Sequence, residues 1–304
     1  MVHRALLIGG TGFVGRHLAR QLADRYEVAV SGRAQDIRNA ATVRNLVEST
    51  RPDLVVNLAA LTTVRETFQH PRETYEVGLV GLLNLLEALK THGFRGRFLE
   101  ISSSEIYGIV QTEQLPIVET EPLRPESPYS VAKIAAESLC YQWHKSEGLD
   151  ASIARPFTHI GPGQSDRFSV AHFVRQVAEI MVGTREPVIH VGDLTTTRDL
   201  TDVRDVVRAY DAILHFGKAG VPYNICSGRE TLMRDVLDEL IRLSGLPITV
   251  MIDQDRLRRT EQRRLLGSYA ALAAKTGWKP EIPLASTLQD MLLYTLKGLS
   301  NEPG

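Results

Sequence analysis

The strongest constraint on this chain is a glycine-rich segment, GGTGFVG at residues 9–15, which directly follows an apolar run at 5–8. The apolar run predicts a buried parallel strand, and the spacing of Leu18 and Leu22 predicts a helix after the glycines. Glycines at such a junction let the backbone approach a pyrophosphate, which binds at the helix N-terminus, where unpaired N–H groups favour negative charge. The segment therefore predicts a dinucleotide site, although a purely structural turn also uses glycine.

A second signature is the segment YSVAK at 129–133, which places a phenol and an ammonium four residues apart. Ser127 and Pro128 predict the start of a helix, with Ser127 as the N-cap, so that Tyr129 and Lys133 share one helix face. The helix N-terminus and Lys133 both stabilise a phenolate, so Tyr129 can act as a general acid or base beside a nicotinamide. The alternative is an ordinary amphipathic helix with an exposed lysine.

The alternation of elements predicts an α/β fold, a Rossmann-type doubly wound parallel sheet with a smaller C-terminal substrate-binding lobe. Apolar runs that read as strands lie at 28–30, 54–58, 98–101 and 151–154, with helical patterns between them. After residue 158 the pattern loosens and glycines and prolines punctuate shorter elements. We predict a dinucleotide-binding domain of 1–158 plus about 199–226, and a substrate-binding lobe of about 159–198 plus 227–304.

Composition limits the class of protein further. The 304 residues are 43% hydrophobic and 23% charged with a net charge of −1, which is ordinary for a globular chain and favours neither nucleic acid nor membrane. Residues 2–4 lead directly into the first strand rather than into a signal-peptide segment, so we expect a cytoplasmic protein. Cys140 and Cys226 are expected to be buried free thiols, and the nine histidines show no ligand-like spacing, so no metal site is predicted.

The end of the second strand bears on cofactor preference. An acidic residue there would hold the ribose hydroxyls of NAD, whereas an arginine accommodates the 2′-phosphate of NADP. The chain has Arg33 at this point and no acid before Asp36. Arg33 therefore favours NADPH, with NADH as the alternative if this arginine is only a solvated surface residue.

Several further motifs resemble the extended short-chain dehydrogenase/reductases that act on nucleotide sugars, and the resemblance runs essentially from end to end. They are LAA at 58–60, SSSEIYG at 102–108 and RPF at 155–157, beside the glycine and Tyr-x-x-x-Lys motifs. Within that family, four motifs resemble the enzymes that reduce GDP-4-keto-6-deoxy-D-mannose to GDP-D-rhamnose (GDP-6-deoxy-D-mannose): HIGPGQ at 159–164, RDLTDV at 198–203, YNICSG at 223–228 and RRTEQRR at 258–264.

The resemblance implies roles for individual residues. On the residues alone, Ser102, Ser103 and Ser104 compete to donate to the substrate carbonyl, and the family pattern selects Ser103. The implied catalytic set is Ser103, Tyr129, Lys133 and Glu105. The implied cofactor contacts are Gly9, Thr11, Gly12, Phe13, Val14, Gly15, Arg33, Asp36, Ile37, Leu58, Ala59, Ala60, Ile101, Tyr129, Lys133 and Pro156. The implied substrate contacts are Ser103, Ser104, Glu105, Tyr129, Thr158, His159, Arg198, Arg258 and Glu261.

Other functions remain open at this point. In the related GDP-mannose 4,6-dehydratases a glutamate at the position of Glu105 removes a proton beside the keto group, although a carboxylate there can also simply bind a sugar hydroxyl. A sugar epimerase and a dinucleotide-sensing regulator are further alternatives. Thr158 and Gly78 stand where relatives usually carry Asn. Thr158 replaces an amide expected to contact the diphosphate, and Gly78 removes one polar contact expected near the nicotinamide. The family resemblance also implies a homodimer.

Overall fold

The computed structural model describes residues 3–61, 63–253 and 262–300. Twelve strands occur in this part of the chain: β1 (Arg4–Ile8), β2 (Glu27–Val30), β3 (Leu54–Asn57), β4 (Arg97–Ile101), β5 (Asp150–Pro156), β6 (His159–Ile160), β7 (Val188–Val191), β8 (Thr197–Asp199), β9 (Thr201–Asp202), β10 (Pro222–Ile225), β11 (Glu230–Leu232) and β12 (Thr249–Ile252).

Eleven α-helices are described: α1 (Phe13–Leu22), α2 (Ala40–Thr50), α3 (Val64–Gln69), α4 (Pro71–Tyr75), α5 (Leu82–Thr91), α6 (Pro128–Glu147), α7 (Ser169–Met181), α8 (Val203–Phe216), α9 (Met233–Ser244), α10 (Ala270–Thr276) and α11 (Leu284–Ser300). A π-helical segment, Glu76–Gly81, joins α4 to α5. Short 3₁₀ turns lie at Ser104–Tyr107 and Thr112–Gln114. No helix of the described ranges is long and apolar enough to cross a bilayer.

Six strands form one parallel sheet in the order β10-β5-β4-β3-β1-β2. The chain moves outward from β1 to β2 and then returns past β1 to β3, so the strand order reverses between β1 and β3. In open α/β sheets a ligand binds outside the carboxyl ends of the strands at such a switch point. The predicted Rossmann-type doubly wound sheet is confirmed.

Both faces of the sheet are covered by helices, as the apolar strands require. In β1, Ala5 and Leu7 enter the core beneath α1 and α8, while Leu6 and Ile8 enter the core beneath α2, α5 and α6. Cys140 on α6 lies in this second core, and both Cys140 and Cys226 are buried free thiols, as predicted.

A separate hydrophobic cluster forms outside the sheet. It is built from α7, α9 and α11 with β7, and includes Phe173, Val177, Leu237 and Leu288. The small sheets β7–β12 and β8–β11 border it, while α8 and β10 return to the main sheet. We propose that the two domains divide at about 158, 199 and 226, because the separate cluster takes most of its residues from 159–198 and 227–304. Two residues of the last segment, Leu272 and Trp278, pack instead into the core of the main sheet, and Leu200 packs into the separate cluster.

A buried ion pair joins α6 to β5. Arg155 donates from Nε and Nη2 to the two carboxylate oxygens of Glu137, at 3.0 and 2.7 Å. Its Nη1 donates to the Tyr107 hydroxyl and to the Glu119 carbonyl, and the Tyr107 hydroxyl donates in turn to Asn224. Because both charged side chains are at most 7% exposed, each depends on the other to offset its desolvation.

We expect Arg155→Met to lower the free energy of unfolding by about 3–5 kcal/mol, because it leaves the Glu137 carboxylate buried without a counter-charge. Combining it with Glu137→Leu should recover part of that loss. Urea unfolding followed by circular dichroism measures both effects. Arg242→Met, which removes an exposed pair with Glu239, is the control and should leave the midpoint unchanged. Equal stability of Arg155→Met and wild type would contradict the structural role of the pair.

Candidate active site

The glycine loop packs tightly between β1 and α1. Gly9 has a φ of +74°, which favours glycine, and a Cβ there would lie 3.1 Å from the Ala59 nitrogen. A Cβ on Gly15 would lie 2.4 Å from the Gly10 carbonyl oxygen, so glycine is required where the helix approaches the loop. The loop therefore lies against the segment that follows β3, where Leu58, Ala59 and Ala60 are partly buried.

The N-terminus of α1 is open to a ligand. Gly12 is its N-cap and supplies no side-chain hydrogen bond to the first turn, which leaves these N–H groups available to an anion. Thr11 and Gly12 are exposed, whereas Val14 is partly buried against the core on this face. Phe13 stacks on the ring of His159, at 6.3 Å between centroids with an interplanar angle of 7°.

The end of β2 carries the predicted cofactor-selecting residues. Arg33 is exposed, while Ser31 is buried and its hydroxyl accepts from the Gly9 N–H. The Asp36 carboxylate accepts from the Arg38 side chain and backbone, and the hydrogen bond from the Arg38 guanidinium lowers the pKa of Asp36. Ile37 is buried, 5% exposed. A ligand contacting Asp36 would thus meet an Asp36–Arg38 pair, which the sequence did not predict.

The helix that carries the Tyr/Lys pair begins as predicted. Ser127 is the N-cap of α6, and its hydroxyl accepts from the Ser130 N–H while the Ser130 hydroxyl accepts from the Ser127 N–H. Tyr129 lies in the first turn and is partly buried. Lys133 lies one turn later, is only 4% exposed, and has its Nζ 6.0 Å from the centre of the Tyr129 ring.

The Lys133 ammonium is held against the end of β4, and a residue of β3 supports that contact. Its Nζ donates to the Ile101 carbonyl at the end of β4 and lies 3.6 Å from Glu100 Oε1. Asn57, at the end of β3, donates from Nδ2 to Glu100 Oε2 at 2.7 Å and accepts at Oδ1 from the Ala59 N–H. Glu100 and Asn57 were not among the predicted site residues. The signal was present, since a glutamate interrupts the apolar run of β4.

Three consecutive serines follow β4. Ser103 is 8% exposed, caps the 3₁₀ turn, and accepts at its hydroxyl from the Glu105 N–H at 3.2 Å. Ser104 is also buried, whereas Glu105 is exposed. The hydroxyl of Ser102 is buried and has no hydrogen-bond partner among the described residues. Ser103 therefore keeps its hydroxyl proton available to donate while its oxygen is held by the backbone.

Some of the predicted substrate residues lie at the same edge of the sheet, beyond the carboxyl end of β5. Pro156 ends β5, and Thr158 and His159 follow it, with His159 Nδ1 3.0 Å from the Phe157 carbonyl. Burial lowers the pKa of His159, which favours the neutral ring. Arg198 donates from Nη1 to the carbonyls of Thr197 and Gln262. Arg258 and Glu261 lie outside the described residues.

Gly78, one of the two departures from the family pattern, lies in the π-helical segment that packs on α6. A Cβ at this position would lie 3.0 Å from the Cβ of Ala132, beside Lys133. In the part of the chain that the structure describes, no group of three or more His, Cys, Asp or Glu side chains is arranged to hold a metal ion.

Comparison with known proteins identifies the family. The model of the GDP-mannose 4,6 dehydratase family matches residues 30–291. The GDP-6-deoxy-D-mannose reductase of Pseudomonas aeruginosa is 43% identical over 296 residues, 96% of this chain and 97% of that protein. The GDP-mannose 4,6-dehydratase of Yersinia enterocolitica is 28% identical over 293 residues, 86% of this chain and 78% of that protein.

Solved structures agree with the sequence comparison. The structure of RMD from Pseudomonas aeruginosa complexed with NADPH has a TM-score of 0.91 and 41% identity, covering 97% of this chain and 99% of that chain. The UDP-glucose 4-epimerase of Thermotoga maritima, solved with UDP-glucose, has a TM-score of 0.87 and 27% identity, covering 97% and 99% of the two chains. The chain therefore belongs to the GDP-mannose 4,6-dehydratase family of the extended short-chain dehydrogenase/reductases.

Proposed function

We propose that the protein reduces the 4-keto group of GDP-4-keto-6-deoxy-D-mannose to give GDP-6-deoxy-D-mannose, also called GDP-D-rhamnose, with NADPH as the reductant. The observation that carries the proposal is the 43% identity to a GDP-6-deoxy-D-mannose reductase over 96% of the chain. Similarity to the Yersinia dehydratase is weaker, at 28% identity over 86% of the chain. The partly buried Tyr129 and the buried Lys133, side by side on α6, support carbonyl chemistry and weigh against a sensor without catalysis.

The residues present fit a dinucleotide phosphate. The open first turn of α1, reached across a loop in which Gly9 and Gly15 permit close backbone contacts, suits the pyrophosphate. Arg33 is exposed where a 2′-phosphate would lie, and it is the basis for proposing NADPH over NADH. Lys133 would hold the ribose of the nicotinamide, between Ile101 and Tyr129. NADPH, when bound, supplies the hydride.

The protein's own groups handle the proton and the developing charge. As the carbonyl carbon is reduced, its oxygen must gain a proton, and Tyr129 delivers it from the phenol. The Ser103 hydroxyl donates to the same oxygen and stabilises the negative charge that develops there. The Lys133 ammonium stabilises the phenolate that Tyr129 becomes, before solvent restores its proton.

We assign the GDP half of the substrate to the lobe side of the site. Arg198, with Arg258 from outside the described residues, supplies guanidinium groups that suit diphosphate oxygens. Glu261 would accept from guanine or ribose donors, and Ser104, Thr158 and His159 would contact the sugar or diphosphate. The partly buried Thr158 offers one hydroxyl where an asparagine would offer an amide.

A homodimer in the cytoplasm is part of the proposal. Apolar side chains stay exposed along the helices from α4 to α6: Tyr75, Leu79, Val80, Leu83 and Val131. An exposed apolar surface of this kind suits association with a second copy through paired helices.

The purified protein should oxidise NADPH when given GDP-4-keto-6-deoxy-D-mannose and not when given GDP-mannose, as measured by absorbance of the reduced nicotinamide. Tyr129→Phe should lower turnover by roughly 10²- to 10⁴-fold, the range for a lost general acid, with NADPH affinity nearly unchanged. Tyr141→Phe, an exposed tyrosine on the same helix, is the control. A fully active Tyr129→Phe enzyme would contradict the role of Tyr129 as the general acid.

The dehydratase is the second candidate, because Glu105 is exposed beside Ser103 and Ser104. Reduction requires no proton to be removed beside the keto group, so Glu105→Gln should retain most of the reductase rate, like the exposed control Glu113→Gln. Product analysis by anion-exchange chromatography measures both reactions. The results would favour the dehydratase function if Glu105→Gln is as inactive as Tyr129→Phe, or if wild type converts GDP-mannose to the keto sugar without added cofactor.

Arg33→Ala should weaken NADPH binding roughly 10- to 100-fold, the scale of a charge-assisted phosphate contact, and leave NADH binding almost unchanged. Nicotinamide fluorescence titration gives the two dissociation constants. Arg44→Ala, which removes an exposed arginine on α2, should change neither. An equal loss of affinity for NADPH and NADH would show that Arg33 is a solvated surface residue that does not select the cofactor.

A further inference from the structure

Glu100 is a carboxylate inside the sheet that the catalytic scheme above does not use. It lies in β4, is 1% exposed, and has hydrophobic neighbours on both sides in the sequence. Burying a carboxylate costs several kcal/mol unless hydrogen bonds and an opposite charge offset the loss of water. Both are present, since Asn57 donates to Oε2 at 2.7 Å and Lys133 Nζ lies 3.6 Å from Oε1.

Lys133 has little else to balance its charge. Its other hydrogen bond goes to the uncharged Ile101 carbonyl, and the Tyr129 ring is 6.0 Å away. The π-helical segment facing α6 presents Gly78, which has no side chain. Across residues 3–61, 63–253 and 262–300, Glu100 is the carboxylate within 4 Å of this ammonium.

We propose that Glu100 is a positioning residue for the reaction: it is the buried counter-charge that fixes the Lys133 ammonium at the cofactor site. The proposal rests on the role given to Lys133 under the proposed function. Asn57 orients the carboxylate from β3, so that two neighbouring strand ends and α6 together determine where the ammonium lies. Glu100 acts through Lys133 and does not contact the substrate.

Other charged groups set the pH range in which this counter-charge exists. Burial raises the pKa of Glu100 to about 7, against the opposing effects of Lys133 and Asn57. Glu137, on α6, also raises it and is itself paired with Arg155 from β5. Because the folded-state pKa is raised, the carboxylate is charged above about pH 7 and becomes neutral as pH falls through that value. The buried thiol of Cys140, also on α6, has a raised pKa and stays neutral over this range.

The pH dependence distinguishes this role from packing. Below about pH 7 wild-type Glu100 is neutral, as a glutamine is, so wild type and Glu100→Gln should have kcat/KM values within about threefold. At pH 8.5 wild-type Glu100 is a carboxylate and the variant has none to hold the Lys133 ammonium in place, so the kcat/KM of the variant should be roughly 10- to 100-fold below wild type. Glu100→Met should behave like Glu100→Gln, while Glu100→Asp, which keeps the charge, should restore part of the loss at high pH.

The affinity for NADPH gives a second readout that does not require turnover. The NADPH dissociation constant of wild type should fall as pH rises from 6 to 9 and the Glu100 carboxylate forms, while that of Glu100→Gln changes little. Lys133→Met should bind weakly at every pH. A Glu100→Met enzyme equal to wild type across this range, or a loss in Glu100→Gln that is the same at every pH, would show that Glu100 only fills space and would overturn the proposal.

These measurements also distinguish a failure of the role proposed for Glu100 from a failure of the proposed reductase function. A wild type that binds NADPH and does not reduce the keto sugar contradicts the substrate, and the NADPH affinity profile still decides the role of Glu100. If Glu100→Gln fails to fold, the double variant Glu100→Gln/Lys133→Met tests the pair, because removing both charges should restore folding. A double variant no more stable to urea than Glu100→Gln would contradict the pairing.

Discussion

The ammonium of Lys133, buried at the carboxyl edge of the sheet, is the constraint on which the site depends. A lysine that is 4% exposed can keep its charge only where the fold supplies replacement for water. The replacement comes from two neighbouring strands: β4 supplies the carbonyl of Ile101 and the carboxylate of Glu100, and β3 supplies, behind that carboxylate, the amide of Asn57. Placing this one buried charge therefore requires β3, β4 and α6 to meet correctly.

A second buried ion pair lies one turn further along the same helix. Glu137 is four residues after Lys133 and pairs with Arg155 of β5, while Lys133 faces Glu100 of β4. The helix is thus held to two neighbouring strands by pairs of opposite polarity. Sliding α6 along the sheet by one turn would bring Glu137 toward the carboxylate of Glu100 and leave Arg155 unpaired. Such a register error carries a large electrostatic penalty, which makes the position of Tyr129 specific.

Local signals predicted the parts of this arrangement that depend on nearby residues. The start of α6 followed from Ser127 and Pro128, and the strands of the sheet followed from apolar runs, because capping and burial leave marks within a few residues. The partners of Lys133 could not be predicted in this way. Glu100 and Asn57 come from different strands, and only the charge within an otherwise apolar run hinted at a buried role. The Asp36–Arg38 pair was missed because a surface turn permits many pairings.

The contact between the start of α1 and the segment at 159–163, which follows β5, is also set by tertiary structure. The Phe13 ring stacks on His159, His17 Nε2 lies 3.0 Å from the Pro162 carbonyl, and Arg16 donates to the carbonyls of both Thr11 and Gly163. The segment after β5 is thereby fixed to the first turn of α1. Because burial favours neutral His159 and lowers the pKa of His17, neither imidazole places a positive charge in this contact at neutral pH. The contact is therefore maintained by stacking and hydrogen bonds. The first turn of α1, whose N–H groups are open, and the segment that carries Thr158 are therefore neighbours, and the proposed dinucleotide and nucleotide-sugar contacts fall on adjoining parts of the fold.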